Sequence, residues 1–313
     1  MSKFCRHGTL AERCPICRVA VEEAARAPSP ARRGRLVSPP RGERSSSRGM
    51  TVRREARTTD DGYRSQLAPG LRSSEDAERL AQEIAFAATR LGVLVTAPPG
   101  LYAEVAGLED LEQATWLAFL VALIGPRDDG DPFVEIERIR VPWGHPIDLA
   151  GAQAGPRGSL DGARVGETLG AYGRFAERSG DQRSAFTGDP SWNPQQRFER
   201  IHERLALPGF HRRARYDMLV ALGRLGRYEL SAPSLLLTED DAVMAAAKRV
   251  FGIGDRMTIE RRSRDLAGQA GTPIEALDLA LENWARAERV TQGFPDLEPG
   301  DAELAQAQAA LGL

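Results

Sequence analysis

Asp240 and Asp241 stand side by side in the segment TEDDAVMAAAKRV (238–250), where an apolar helical rhythm begins. Carboxylates at a helix start meet free N–H groups and the positive end of the dipole, so capping alone accounts for such a pair. Held against a substrate, the same carboxylate is a general base or a stabiliser of developing positive charge. Asp240 and Asp241 are therefore candidate catalytic residues. Upstream, the segment LALPGFHRRARYD (205–217) breaks a helical pattern at Pro208-Gly209 and resumes it at once. Glycine there permits a positive φ, and the N–H groups opening the next helix can receive an anion such as a DNA phosphate. Arg212, Arg213 and Arg215 fall in the first turn of that helix, where cations gain nothing from the dipole but do gain from a phosphate. Gly209, His211, Arg212 and Arg213 are therefore candidate DNA contacts.

A second turn competes for that role. Gly252-Ile253-Gly254 closes the helix begun at the Asp pair and is followed by Arg256, Arg261, Arg262 and Arg264. Gly252, Gly254 and Arg256 are candidate phosphate contacts, and a glycine C-cap is the alternative reading. Trp192, in DPSWNPQQRFERIHERL, lies just before a helix opened by Asn193-Pro194. It either staples the helix entry or stacks on a base taken out of the duplex.

The metal-ligating residue types gather at the other end of the chain. All three cysteines, Cys5, Cys14 and Cys17, lie within the first 17 residues together with His7, one of only four histidines. A C-x-H followed by CPIC supplies three thiolates and an imidazole, which complete a tetrahedral zinc site with no open position. The expectation is structural zinc; a redox CxxC or free thiols are the alternatives, and a redox CxxC would open a helix within a βαβ unit that does not follow here.

The LPG turn, the LGR at 222–224 and the Asp pair before RVFGIG resemble the helix-hairpin-helix DNA glycosylase superfamily, in which an aspartate at the equivalent helix start is catalytic. The resemblance places that role on Asp241. His211 stands where the second hairpin glycine is usual. Arg213 stands where lyase-competent members have lysine, and a guanidinium that stays protonated forms no Schiff base, so no lyase activity is expected. The segments RYDMLVALGRLGRYEL, AAKRVFGIGD and ERR further resemble the alpha-glutamyl/putrescinyl thymine pyrophosphorylases, clade 3, over about residues 77–284. That resemblance implies displacement of pyrophosphate from a 5-hydroxymethyl-pyrimidine in DNA by an amine or amino acid co-substrate.

The elements that must position these residues are mostly helical. A chain of 313 residues with 42% hydrophobic and 27% charged content is long enough for one large domain or two ordinary ones, and is neither disordered nor membrane-like in composition. Its net charge of −2 hides an asymmetry: residues 1–73 carry 16 Lys/Arg against 7 Asp/Glu, leaving −11 for the rest. Residues 25–72, rich in Arg, Ser, Pro and Gly, read as a disordered basic linker, whose arginines either touch phosphates or keep the tether soluble. The longest apolar run, 116–124, is far short of the roughly 20 residues a membrane helix needs. SKFCRHGTLAERC has no apolar core of a secretory signal, so no membrane and a cytoplasmic location are expected.

Helical spacing begins at Ser73-Ser74 and returns at 108–126, where it is apolar nearly all round from Trp116 to Ile124, then at 165–178, 194–205, 212–224, 241–250, in the basic helix that follows Gly254, and at 273–287 and 301–311. Trp116, Phe119 and Trp284 are expected in the core, and the last two helices are expected to serve packing. Residues 127–157 hold VPWGHP, in which His145 and Trp143 form either a functional loop or a packed turn. The expected organisation is a zinc knuckle (1–24), the linker (25–72) and a mainly α, helix-hairpin-helix-like domain (73–313) that acts on DNA bases. The functional alternatives are a monofunctional glycosylase, a non-enzymatic DNA-binding module and a protein-interaction adaptor.

Overall fold

The computed structural model describes residues 59–313 apart from Asp240 and Ile253. The zinc-knuckle residues Cys5, His7, Cys14 and Cys17, most of the expected linker, and Asp240 lie outside the described residues. Those that are described belong to one compact unit, residues 56–313. It is mainly helical, and no strand occurs among the described residues.

α1 (Ser74–Thr96) starts where the Ser-Ser-Glu-Asp signal places it, but Ser73 makes no side-chain cap. Asp61 supplies the cap instead, accepting from the Ser74 N–H at 2.9 Å and from its hydroxyl. Residues 59–72, grouped with the linker by composition, thus pack on the helices: Ala68 and Leu71 are buried, and the Tyr63 hydroxyl donates to the Leu311 carbonyl. The buried stripe of α1, with Ala77, Leu80, Ala81, Ile84, Leu91 and Leu94 at helical spacing, faces α11 (Ile274–Ala285) and α12 (Asp301–Leu311). Trp284 of α11 is in the core and donates its Nε1 proton to the Asp76 carbonyl at 2.9 Å.

α3 (Leu111–Ile124) is the central element, capped by Asp110 and buried from Ala114 to Ile124. It packs against α2 (Gly100–Gly107) and α8 (Arg212–Arg224). Trp116 and Phe119 project into an aromatic cluster with Tyr172 and Phe175 of α5 (Val165–Arg178), the Phe119 and Tyr172 rings stacking at 3.8 Å. Burial of this size contributes about 1.5–3 kcal/mol per side chain. Trp143 of VPWGHP joins the same cluster, 5.1 Å from Trp116, while His145 is exposed, so that loop is a packed turn.

Three short helices, α2, α4 (Val134–Ile139) and α6 (Gln182–Thr187), are absent from the sequence expectations. None reaches the length at which periodicity is readable, and tertiary contacts hold them. α6 shows how: Glu112 of α3 accepts from the backbone N–H groups of Gln182 and Arg183 that open it. α7 (Pro194–Arg204) carries a full capping box between Asn193 and Gln196. α9 (Ala242–Phe251) and α10 (Arg256–Gln269) complete the set, both packed on α11.

Candidate functional site

Between α7 and α8 the chain turns through residues 205–211. Gly209 has φ +74°, and a Cβ there would lie 2.6 Å from Thr168 Oγ1, so both conformation and space require glycine. The Thr168 hydroxyl donates to the Pro208 carbonyl at 2.7 Å, and the Ser159 hydroxyl to the Gly209 carbonyl at 2.8 Å. The His211 N–H donates to Ser159 Oγ. The turn is therefore anchored inward on α5 and on Ser159. His211 sits at the N-cap of α8 with its imidazole exposed and making no cap bond.

The three arginines that follow point into the protein. Arg212 is buried; its Nε donates to Asp241 Oδ2, and one terminal nitrogen (Nη1) lies 2.7 Å from Asp278 Oδ2 and donates to the Leu235 carbonyl at 2.7 Å. Arg213 pairs with Glu282, and Arg215 donates to the His202 carbonyl at 3.0 Å. The charge that a phosphate would have neutralised is thus met by carboxylates and carbonyls of the chain itself.

Asp241 reaches Arg212 because the segment before it is pinned. Glu260 of α10 accepts from the N–H groups of Leu235 and Leu237 at 2.9 and 2.8 Å, while Arg212 holds the Leu235 carbonyl. Asp241 then caps α9, Oδ1 accepting from the Val243 N–H at 2.9 Å. It is 8% exposed. Burial, aided by the negative charge of Asp278, raises its pKa above the ordinary carboxylate value against the opposing pull of Arg212. His202, on α7, is buried with an unpartnered Nε2, and burial together with Arg215 and Arg212 pushes its pKa down to about 3, so the ring is neutral. Burial and the neighbouring Arg212 also lower Arg215 to about 10.

The remaining partners come from residues that sequence reading treated as packing. Asp278 and Glu282 stand one turn apart on α11, each 1% exposed. Arg157 meets both and also grips Asp217 of α8 through Nε at 2.7 Å and a terminal nitrogen (Nη2) at 2.9 Å. Gln292 donates to the same Asp217 at 2.7 Å. At Asp278, burial alone would raise the pKa, but Arg212 and Arg157 outweigh it and the net shift is downward. A chain of alternating charge, Asp217–Arg157–Asp278–Arg212–Asp241, therefore runs through the unit. The signal for it was present: Asp278 and Glu282 sit four apart in a helix rich in Ala and Leu, a place where ionised side chains are rare unless paired.

The other candidates separate from this network. Gly252 (φ +80°), Gly254 and the exposed Arg256 form the turn into α10, where Asp255 supplies the cap to Thr258 and Arg261, also exposed, helps to lower the Asp255 pKa. Trp192 is half-buried before α7, its ring against Gly188 and under the Arg204 guanidinium at 4.9 Å, and its carbonyl accepts from Arg197. Among the described residues no group of three or more His, Cys, Asp or Glu could hold a metal, and no single helix is long and apolar enough to cross a membrane. A void of about 10 Å³, room for about one water, opens between α2, α3 and α8 beside Arg157, Asp217 and Gln292. A groove of about 350 Å³ lies between α1, the end of α8, the α10–α11 connection and α12. Asp241 lines neither.

Comparison with protein-family models, with curated proteins and with solved structures finds no match to this chain.

Proposed function

We propose that this chain acts on a base in DNA through Asp241, on a helix-hairpin-helix-like scaffold, and that the reaction is hypermodification of a 5-hydroxymethyl-pyrimidine, pyrophosphate being displaced by an amine or amino acid. One observation carries the reading: Arg212, opening the helix after the Gly209 turn, bonds Asp241 at the start of α9, so turn and aspartate form one unit. A buried carboxylate with a raised pKa is suited to accept a proton from an incoming amine, and as a carboxylate it can stabilise cationic character at a sugar. The second of these would make the chain a monofunctional glycosylase. The base would leave the stack to reach it.

Phosphate contact falls, in this reading, to Arg256 and Arg261, which are exposed, rather than to Arg212 and Arg213, whose charge is already met. The tethered Cys5, His7, Cys14 and Cys17 would hold structural zinc and take no part in turnover.

A second reading, a DNA-binding module without turnover, is favoured by one specific observation. Both Asp241 oxygens are engaged, one by Val243 and one by Arg212, and neither void described above reaches it. The experiment is incubation with duplex DNA carrying alkylated, deaminated, 5-hydroxymethyl or phosphorylated hydroxymethyl pyrimidines, with and without amines, followed by mass spectrometry of nucleosides and free bases. A mass-shifted nucleoside, lost in Asp241→Asn with DNA affinity kept, supports hypermodification. Free base means a glycosylase. Binding that yields no product and is indifferent to Asp241→Asn establishes the module.

A further inference from the structure

We infer that Asp278 is a positioning residue that sets how much of the Arg212 guanidinium Asp241 receives, and with it the charge state in which Asp241 meets a substrate. The inference rests on Asp241 being the reactive group.

One guanidinium serves two carboxylates brought from different elements. Arg212 gives a directed hydrogen bond to Asp241 at the start of α9, and lies 2.7 Å from Asp278 Oδ2 in the middle of α11. That second contact is an ion pair and, among the described residues, the one partner of Asp278 Oδ2, while the other terminal nitrogen of Arg212 (Nη2) is buried and unpartnered. Asp278 is divided as well: its Oδ1 accepts from Arg157, which also serves Asp217 and Glu282. Charge removed at Asp278 therefore changes the share of Arg212 left for Asp241, although Asp278 itself is bonded only to arginines. A buried ion network is weak evidence for stability, since desolvating the ions offsets their attraction, so a role in setting charge is a reason for its presence.

Among the described residues, the charged and titratable groups around Asp241 come from few elements. α7 brings neutral His202, α8 brings Arg212 and Arg215, α10 brings Glu260, which is occupied by the Leu235 and Leu237 amides, and α11 brings Asp278. On α9 itself Lys248 is paired with exposed Glu239. Among the described residues, Arg212 and Asp278 are the charged groups that act on Asp241, with opposite effect.

The test is a titration of the Asp241 carboxyl by carbon-13 NMR in the full chain, the resonance being assigned through Asp241→Asn and native packing checked by near-UV circular dichroism. Asp278→Asn gives Arg212 wholly to Asp241 and is expected to lower the midpoint by about one pH unit. Arg157→Gln frees Asp278 to draw harder on Arg212 and is expected to raise it, so this variant carries the test with opposite sign if Asp278→Asn does not fold. Asp278→Glu keeps the charge and the midpoint. Glu282→Gln removes a carboxylate that touches Arg157 and Arg213 but not Arg212, and is expected to leave the midpoint in place. An Asp241 midpoint unmoved in a folded Asp278→Asn or Arg157→Gln chain, or moved equally by Glu282→Gln, overturns the inference. The titration needs neither DNA nor turnover, so failure of the proposed function and failure of this inference are read separately.

Discussion

Arg157 and Glu282, 125 residues apart in the sequence, meet with both side chains 1% exposed. Glu282 also receives Arg213 and Arg286, so one carboxylate is shared by three guanidiniums drawn from a loop, from α8 and from the C-cap of α11. Deleting it takes the carboxylate from Nη1 of the enclosed Arg157, whose other nitrogens stay on Asp217 and Asp278, and from Arg213 and Arg286. Glu282→Ala is therefore expected to cost about 3–5 kcal/mol, as breaking one side of a buried pair does. Glu282→Gln, which keeps an acceptor, should cost less. Urea denaturation read by far-UV circular dichroism measures both, and a loss below about 1 kcal/mol in Glu282→Ala would mean that water reaches these arginines.

His202 should make the fold acid-sensitive. Its ring is held neutral in the native state down to about pH 3, whereas the unfolded chain takes up the proton near 6.5. Between those values the unfolded state binds more protons, so stability is complete above about 6.5 and falls as the pH drops toward 3. At pH 5 the loss from this one group is about 2 kcal/mol. His202→Gln removes it, and the difference in unfolding free energy between pH 7 and pH 5 should shrink accordingly. An identical pH slope in both chains would show that the imidazole is protonated in place.

Much of the scaffold was legible in the sequence because the long helices are bounded by residues with one mechanical role. Asn193-Pro194 opens α7 with its capping box, and Asp241 stands at the N-cap of α9. What periodicity could not carry was partnership at a distance. Ser73 reads as the cap of α1, yet Asp61 does that work from a segment whose composition resembles a tether. Arg212 and Arg213 read as cations facing outward, because the sequence does not reveal that α11 sets Asp278 and Glu282 opposite them. A carboxylate inside a helix rich in Ala and Leu was the available clue, and it points to a buried partner without naming it.

Gly209 offers a local test of the turn. Its φ of +74° and the 2.6 Å approach of Thr168 Oγ1 to a built Cβ both oppose any side chain. Gly209→Ala is expected to destabilise by at least about 1 kcal/mol and to loosen the two hydroxyl-to-carbonyl bonds that hold residues 208 and 209. Thr168→Ala removes the clash together with one of those bonds. If the double variant is more stable than Gly209→Ala alone, the steric cost is confirmed. Thermal unfolding of the four chains decides the matter.

If the chain binds duplex DNA, the two arginine sets should behave differently. Arg256 and Arg261 are exposed on α10, so replacing both with alanine should weaken binding uniformly across sequences and reduce the salt slope by about two. Arg213, already paired with Glu282, should cost stability when replaced and alter the slope little. Fluorescence anisotropy over a range of salt concentrations separates these effects. A slope reduced by Arg213→Ala and unchanged by the α10 pair would return the phosphate contact to the 207–211 turn.

The cysteine cluster can be tested apart from the helical unit. Three thiolates and one imidazole from Cys5, Cys14, Cys17 and His7 satisfy a closed tetrahedral site, for which equimolar zinc is expected in protein purified without added metal. Cys14→Ser removes one ligand and should release the metal. Because residues 56–313 form a compact unit of their own, the same substitution should leave their thermal unfolding unchanged. Zinc content is read by plasma mass spectrometry and free thiols by a colorimetric reagent in denaturant. Protein without metal but with an oxidised Cys14–Cys17 pair would assign the motif to redox chemistry, and a metal-free chain with three free thiols would leave the cluster without either role.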